Sequence, residues 1–214
     1  VLRSSGEQTS ADTNLTSAFS VGTGVRVVNA DKLFSQGSIV STDNALDLAV
    51  DGAGFFQVLL PDGRIGYTRN GTFSRNNEGA LTTSSGFVIQ PETVIPEDAQ
   101  EINVSSDGVV SVQLPGAVEQ EEVGQIELAE FQNRNGLQPI GESFFVETTA
   151  SGEAIIANPL EGSFGKLVQG ALESSNVSVV KELVDMIETQ RAYEVNSKAI
   201  SSVDEMLRFI SNNL

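Results

Sequence analysis

The chain of 214 residues carries 29 Asp and Glu against 12 Lys and Arg, which gives a formal net charge of −17 at pH 7. This acidity argues against nucleic acid or an anionic membrane surface as the main partner, because phosphate surfaces are bound through Lys and Arg. The absence of Cys and His removes thiolate chemistry and the usual general base, so we expect no enzymatic activity and no cofactor.

The N-terminal part is predicted to be an extended linker with short strands, over residues 1–45. Its first twenty residues are rich in Ser and Thr and lack an apolar period. Short alternating runs follow and are broken at Gly37 and at Asp43-Asn44. Because the chain starts without Met and offers no N-terminal helix to pair with a C-terminal one, we expect it to begin inside a longer natural chain.

Residues 46–165 are predicted to form a β-rich domain. Apolar runs at 54–60, 86–90, 108–114, 125–131 and 143–146 alternate with pairs that end in Gly. The pairs are Asp62-Gly63, Asn70-Gly71, Glu78-Gly79, Ser85-Gly86, Asp107-Gly108, Pro115-Gly116, Asn135-Gly136 and Ser151-Gly152. Each glycine tolerates the positive φ of a tight hairpin, and no helical crossover separates the runs. The sequence therefore predicts an antiparallel β-sandwich or barrel-like domain, mainly β overall with one long C-terminal helix.

Residues 175–214 contain no Gly and no Pro and are predicted to form that helix, with Ser175, Asn176 and Ser178 as candidate N-caps. Apolar residues recur along it at helical spacing. They are Val180, Leu183, Val184, Ile187, Val195, Ala199, Val203, Met206 and Ile210. Their mean step of about 3.75 residues favours packing in a bundle or tube over a left-handed coiled coil. We expect this tail to be mobile in a free monomer and ordered in an assembly, and the alternative is a core helix of the same domain.

The stretch Gln190-Arg191-Ala192-Tyr193-Glu194-Val195-Asn196 places polar side chains within or beside this apolar stripe. Arg191 stands where the stripe would have an apolar residue, and a buried guanidinium is costly unless it is paired. We expect Arg191 to meet a carboxylate of a neighbouring subunit, whereas the other interpretation is a solvated face. The predicted subunit interface comprises the nine stripe residues together with Gln190, Arg191, Tyr193 and Asn196.

Two glycine motifs, Gly22-Thr23-Gly24 and Asp51-Gly52-Ala53-Gly54, could suggest a phosphate site. Neither has the third glycine and following helix of a dinucleotide site or the Gly-Lys-Ser/Thr of a phosphate loop, so turn geometry is the better interpretation. Asp51, Asp62 and Asp107 precede glycines but lack the spacing of a calcium loop, so no metal is predicted and a surface calcium ion is left open.

Several stretches resemble the bacterial flagellar rod and hook proteins. Residues 46–58 (LDLAVDGAGFFQV) and 67–73 (YTRNGTF) resemble the start of that family's β domain and the hairpin after it. Residues 170–177 (GALESSNV), 182–187 (ELVDMI) and 190–198 (QRAYEVNSK) resemble its C-terminal signature. Residues 22–26 (GTGVR), Gln36-Gly37 and residues 82–86 (TTSSG) are similar to members that form the distal rod.

The resemblance implies a structural subunit that self-assembles as a homo-oligomer into a helical tube and transmits motor torque across the periplasm to the hook. It implies proximal rod proteins and the hook protein as neighbours, with P-ring and L-ring proteins as a bushing. It also implies a place in the basal body, between periplasm and outer membrane, and type III export without a cleaved signal peptide. Residues 46–165 would be the outer domain and residues 166–214 the C-terminal helix of the inner tube, while the family's N-terminal helix is missing.

A second hypothesis is a secreted β-sandwich carbohydrate-binding or hydrolytic domain with a helical tail. A concave groove with exposed aromatic residues and two facing carboxylates would favour it. The chain has two Tyr and no Trp, which gives this hypothesis little support.

Overall fold

A computed structural model describes residues 8–10, 13–14, 31–116 and 120–212, with side chains described over 31–116 and 120–209. The chain divides into two compact units, Val1–Lys32 and Leu33–Leu214. In the first unit, strands β1 (Gln8–Ser10) and β2 (Thr13–Asn14) pair antiparallel. The predicted motif at residues 22–26 and most of the Ser- and Thr-rich segment lie outside the described residues.

The largest sheet of the second unit has nine strands. Its main path runs β14 (Gln138–Gly141), β15 (Phe144–Val146), β6 (Ile65–Thr68), β5 (Phe55–Leu59), β9 (Val88–Gln90), β8 (Leu81–Thr83) and β7 (Phe73–Arg75). Strand β13 (Leu128–Glu130) also pairs with β5, and β16 (Ile155–Ala157) pairs with β13. A short 3-10 helix at Arg134–Gly136 precedes β14.

Three smaller sheets complete the β part of this unit over the residues that the structure describes. The strands β10 (Glu101–Val104), β11 (Val109–Gln113) and β12 (Glu121–Gln125) form a meander. Strand β17 (Lys166–Gln169) pairs with β4 (Leu48–Asp51), and β18 (Ala171–Glu173) pairs with β3 (Ile39–Ser41). Every pair of named strands within the described ranges is antiparallel, and these strands form no closed barrel, so the predicted antiparallel class is confirmed.

The core occupies both faces of the large sheet at β5. Successive residues of a strand point to opposite faces, and here Phe55 and Phe56 are both almost fully buried. Phe56 belongs to a cluster that includes Val110 and Val112 of the meander, so the three-stranded sheet covers that face. Phe55 belongs to a second cluster with Tyr67 and other residues. Because β5 is buried on both faces, its sequence does not alternate between apolar and polar residues.

The predicted turn glycines fall into two classes. Six of the eight pairs place their glycine at positive φ, between 79° and 90°. Gly71 and Gly136 do not, so the expectation of positive φ was wrong for these two. A Cβ on Gly71 would overlap the Leu48 carbonyl oxygen, and one on Gly136 would stand 2.5 Å from the Ala150 carbonyl carbon. At these two positions glycine is needed for a close backbone approach.

The chain ends in the helix α1 (Val179–Asn212), which confirms the predicted long C-terminal helix. The Glu182 N–H donates to the Ser178 carbonyl oxygen at 3.0 Å, which places Ser178 at the N-cap position. Asn176, another predicted cap, instead directs its amide group to backbone carbonyls at residues 33 and 35. Residues 166–173 form strands rather than helix, and the division at residue 165 stays a prediction.

Candidate subunit interface

The described side chains of α1 are exposed from Val179 to Phe209. Val180 is 73% exposed and Tyr193 is 74% exposed, whereas the β core buries Phe56 completely. A helix of 34 residues with this much exposed apolar surface gains little from packing within its own chain. The interpretation of α1 as a core helix of the same domain is therefore wrong for the described residues.

Most apolar residues of α1 form two faces on different sides of the helix, whereas the exposed Tyr193 and Phe209 belong to neither. The first face comprises Val179, Val180, Leu183, Val184, Met186 and Ile187, and the second comprises Ala192, Val195, Ala199, Ile200, Val203, Met206 and Leu207. At about 100° per residue, the mean directions of the two faces differ by roughly 170°. The stripe predicted from the sequence thus divides into two faces at different heights along the helix.

Charged residues occupy the side opposite each apolar face. Lys181 and Asp185 lie opposite the first face, and Glu194 and Glu205 lie opposite the second. The apolar and charged residues therefore change sides between the two halves of the helix. This change supports the view that α1 packs against neighbours on opposite sides along its length.

Arg191 lies where the first face ends and the second begins. It follows Ile187 by four residues, on the side of the first face, while Ala192 begins the second. Its side chain is exposed, so the isolated chain has no buried charge to satisfy here. Pairing of Arg191 with a neighbouring subunit stays a prediction, as does the interface role of Gln190 and Asn196.

Five large apolar residues of α1 were missed by the predicted interface. They are Val179, Met186, Ile200, Leu207 and Phe209, and each is more than half exposed. The first four recur every seven residues together with Tyr193, a spacing that the sequence already contained. The predicted member Ile210 belongs to α1, but its side chain lies outside the described part of the structure.

The glycine loop Asp51-Gly52-Ala53-Gly54 does not have the character of an anion site. The carbonyl oxygens of Gly52 and Gly54 each accept a hydrogen bond from Nη1 of Arg69, at 2.8 Å. The Gly52 N–H donates to Oε1 of Gln36 at 3.2 Å. The loop therefore presents carbonyl oxygens to a cation, whereas a phosphate requires free N–H groups.

The hydrolase hypothesis requires a groove with aromatic residues and two carboxylates, and a cavity of about 280 Å³ can be compared with that requirement. Its lining includes Phe87 and Phe144 together with the carboxyl residues Asp62 and Glu142. Hydrogen bonding to Arg64 holds the pKa of Asp62 below its usual range, and Glu142 accepts a hydrogen bond from Ser85 at 2.6 Å. A glycosidase needs one carboxyl group with a raised pKa, whereas the pKa of Asp62 is lowered. This cavity does not support the hydrolase hypothesis.

Within the ranges where placement is described, no three potential metal-ligating residues come together. None of the described helices is both long and apolar enough to cross a bilayer.

Two family descriptions match the chain. Residues 49–112 match the flagellar hook protein FlgE/F/G D1 domain, and residues 168–214 match the flagellar basal body rod FlgEFG protein C-terminal region. The first match covers β4 to β11, and the second covers the end of β17, β18 and α1.

Relatives align over nearly the whole chain. The flagellar basal-body rod protein FlgG of Buchnera aphidicola subsp. Schizaphis graminum is 47% identical over 98% of this chain and 81% of its own length. FlgG of Caulobacter vibrioides is 44% identical over 98% of this chain and 80% of its own length. The flagellar hook protein FlgE of Salmonella typhimurium is 42% identical, but over only 55% of this chain and 29% of its own length. The similarity to rod proteins therefore extends well beyond the part shared with the hook protein.

Proposed function

The chain belongs to the flagellar rod and hook protein family and is a structural component of the flagellar basal body, and we propose that it self-assembles into the helical tube of the distal rod. In this proposal many copies pack their α1 helices to form the inner layer, and the β unit forms the outer layer. The relatives give no support to the carbohydrate-binding or hydrolytic alternative.

The observation that carries this proposal is the exposure of both apolar faces of α1. A two-fold pair of helices would cover a single face and leave the other in water. Two faces on opposite sides and at different heights can both be covered when each copy contacts a different region of the next copy. Such heterologous contacts propagate as a helix and do not close after two subunits.

The rod would transmit torque through the stiffness of these interfaces, so its mechanism requires no catalytic group. Proximal rod proteins would contact one end of the tube and the hook protein the other, while P-ring and L-ring proteins would surround it. The chain would reach this position between the periplasm and the outer membrane by flagellar type III export, without a cleaved signal peptide and without inserting in a membrane.

Electron microscopy of the full-length natural protein at high concentration tests the assembly. We expect straight tubes from the wild type and none from a protein that ends at Val177. Leu183→Asp and Val203→Asp, one on each apolar face, should each abolish the tubes because a charge would be buried at the contact. Thr189→Asp and Ser201→Asp, on the opposite polar sides, serve as matched controls and should assemble. Tubes formed by both apolar-face variants, or closed dimers of the wild type, would overturn the proposal.

A further inference from the structure

The segment leading into α1 is hydrogen-bonded to residues 33–41 until just before the helix begins. Strand β18 pairs with β3, and the Ser174 N–H donates to the Ser38 carbonyl oxygen at 2.8 Å. Nδ2 of Asn176 lies 3.0 Å from the carbonyl oxygens of Leu33 and Ser35. These contacts end three residues before the first residue of α1, so the direction of the helix depends on this segment.

Arg69, which directly follows β6, binds this segment through Glu173 at the end of β18. Its Nε and Nη2 atoms lie 2.9 and 2.8 Å from Oε2 of Glu173. The side chains are only 21% and 12% exposed, so solvent screens this pair less than a surface pair. Nε donates a hydrogen bond to this oxygen and Nη2 adds an ion-pair contact with it, so the guanidinium is held close to the carboxylate.

The same two side chains bind further parts of the backbone. The remaining guanidinium hydrogens of Arg69 are directed at the Gly52, Gly54 and Val50 carbonyl oxygens, at 2.8, 2.8 and 3.2 Å. The second carboxylate oxygen of Glu173 accepts the Gly37 N–H at 2.8 Å. One ion pair therefore connects the β4–β5 loop, the segment before β3 and the strand that leads into α1.

Gly37 lies where residues 33–41 pass close to the backbone at Ser174. A Cβ at this position would overlap the Ser174 carbonyl oxygen, and this glycine is not at positive φ. The requirement at Gly37 is therefore space. Any larger residue has to displace the strand that leads into α1.

We propose that Arg69, Glu173 and Gly37 form a rigid coupling that fixes the angle between the β unit and the first turn of α1. This inference rests on the proposed function, because the helix carries a mechanical load only in a rod. That load would pass through the Arg69 guanidinium into the large sheet. Without the coupling, the segment around Asn176 would bend and absorb that load.

The angle can be measured in the 214-residue chain before assembly. Because the sequence has no Cys, Glu78→Cys and Lys181→Cys supply two spin-label sites, one in an exposed turn of the β unit and one in the first turn of α1. Pulsed electron–electron double resonance then gives the distribution of distances between the two spin labels. We expect a distribution about two-fold broader for Arg69→Met than for the parent, because the variant leaves the mostly buried carboxylate of Glu173 without its guanidinium partner.

Two further variants keep the test decisive. Glu173→Gln preserves the side-chain shape and should also broaden the distance distribution. If Arg69→Met does not fold, Glu173→Gln provides the test of the coupling. Gly37→Ala should shift the mean distance. Arg75→Met is the matched control, because Arg75 is exposed and makes a single hydrogen bond to the Pro96 carbonyl oxygen. Parent-like distributions for folded Arg69→Met and Glu173→Gln would overturn the coupling, as would equal broadening in Arg75→Met.

The outcome does not depend on assembly, since the labelled chain is studied below the concentration at which tubes form. Absence of tubes from the full-length wild type would overturn the proposed function and leave the coupling intact. Normal tubes together with an unchanged distance distribution would overturn the coupling alone.

Discussion

Leu167 of β17 lies opposite Val50 of β4 in an antiparallel pair, and the two side chains are 3% and 1% exposed. Strand β17, which lies beyond the predicted division at residue 165, is therefore part of the β core. Ala171 of β18 is buried as well. The stable end of the β unit should accordingly lie after β18 and before α1.

Truncation tests this placement. A chain that ends at Val177 should unfold cooperatively with nearly the melting temperature of the whole chain. A chain that ends at Gly165 loses Leu167, whose burial contributes roughly 1.5–3 kcal/mol, and two strand pairs. Its melting temperature should be lower by roughly 4–8 °C or more, measured by circular dichroism. Equal melting temperatures for the two truncated chains would show that β17 and β18 contribute nothing to the core.

Amide hydrogen exchange should divide the chain into two classes. In the monomer, amides of β5 and β11 should exchange only on global unfolding, because their side chains are buried on the core. Amides along α1 should exchange much faster, since no described side chain of that helix is buried. Mass spectrometry of peptides from each region measures this. Strong protection from Val180 to Met206 in a monodisperse monomer would contradict the prediction.

Replacement of Arg191 should affect assembly and leave folding unchanged. The side chain is exposed in the isolated chain, so Arg191→Ala should leave the melting temperature unchanged. If Arg191 pairs with a carboxylate of a neighbour inside the tube, the change leaves a buried charge unpaired, at a cost of about 3–5 kcal/mol per contact. Full-length Arg191→Ala should then be exported but form short or fragile rods and impair swimming.

Two further variants identify the cause of that defect. Arg191→Lys should restore assembly only in part, because an ammonium group lacks the planar two-point contact of a guanidinium. Lys181→Ala, on the polar side of the first half of α1, should assemble like the wild type. Wild-type rod length and motility in the Arg191→Ala strain would return Arg191 to a solvated face.

The stability of the β unit should decrease between about pH 10 and pH 12 because of Tyr67. Burial, helped by the negative charge of Glu147 and a hydrogen bond to it, raises the pKa of Tyr67 from 10.0 to about 12. Over this interval the unfolded chain releases the phenolic proton while the folded chain retains it. The free energy of unfolding therefore falls by at most about 1.4 kcal/mol per pH unit from this group.

Tyr67→Phe isolates the contribution of that group, since it removes the ionisable oxygen and keeps the ring that packs edge-on against Phe131 at 4.7 Å. Urea unfolding of both proteins at several pH values gives the two slopes. The wild type should lose more stability than Tyr67→Phe as the pH rises above 10. Parallel curves would mean that the Tyr67 pKa is not raised by folding.

Local patterns in the sequence were sufficient to predict the antiparallel β class, strands within five apolar runs, and the long helix. The apolar runs around Phe56 and Val110 and the glycine pairs between them predict short antiparallel strands, because turn chemistry and side-chain burial act over a few residues. The long C-terminal helix is predicted because the sequence has no Gly and no Pro after Gly170 that would interrupt a helix. The resemblance to rod and hook proteins also follows from contiguous stretches, and the relatives confirm it.

Other features depend on contacts between residues far apart in the chain, which no local pattern contains. Arg69 and Glu173 are 104 residues apart, and their pairing with the Gly37 N–H exists only because β18 returns to β3. The role of Gly71 likewise required the Leu48 carbonyl oxygen to be brought beside it. The sequence by itself determined the antiparallel β class, most of the turns, the long helix and the family, since these arise from short-range chemistry. Only the tertiary structure decided how the helix is attached and which glycines are required for space, because those depend on distances across the fold.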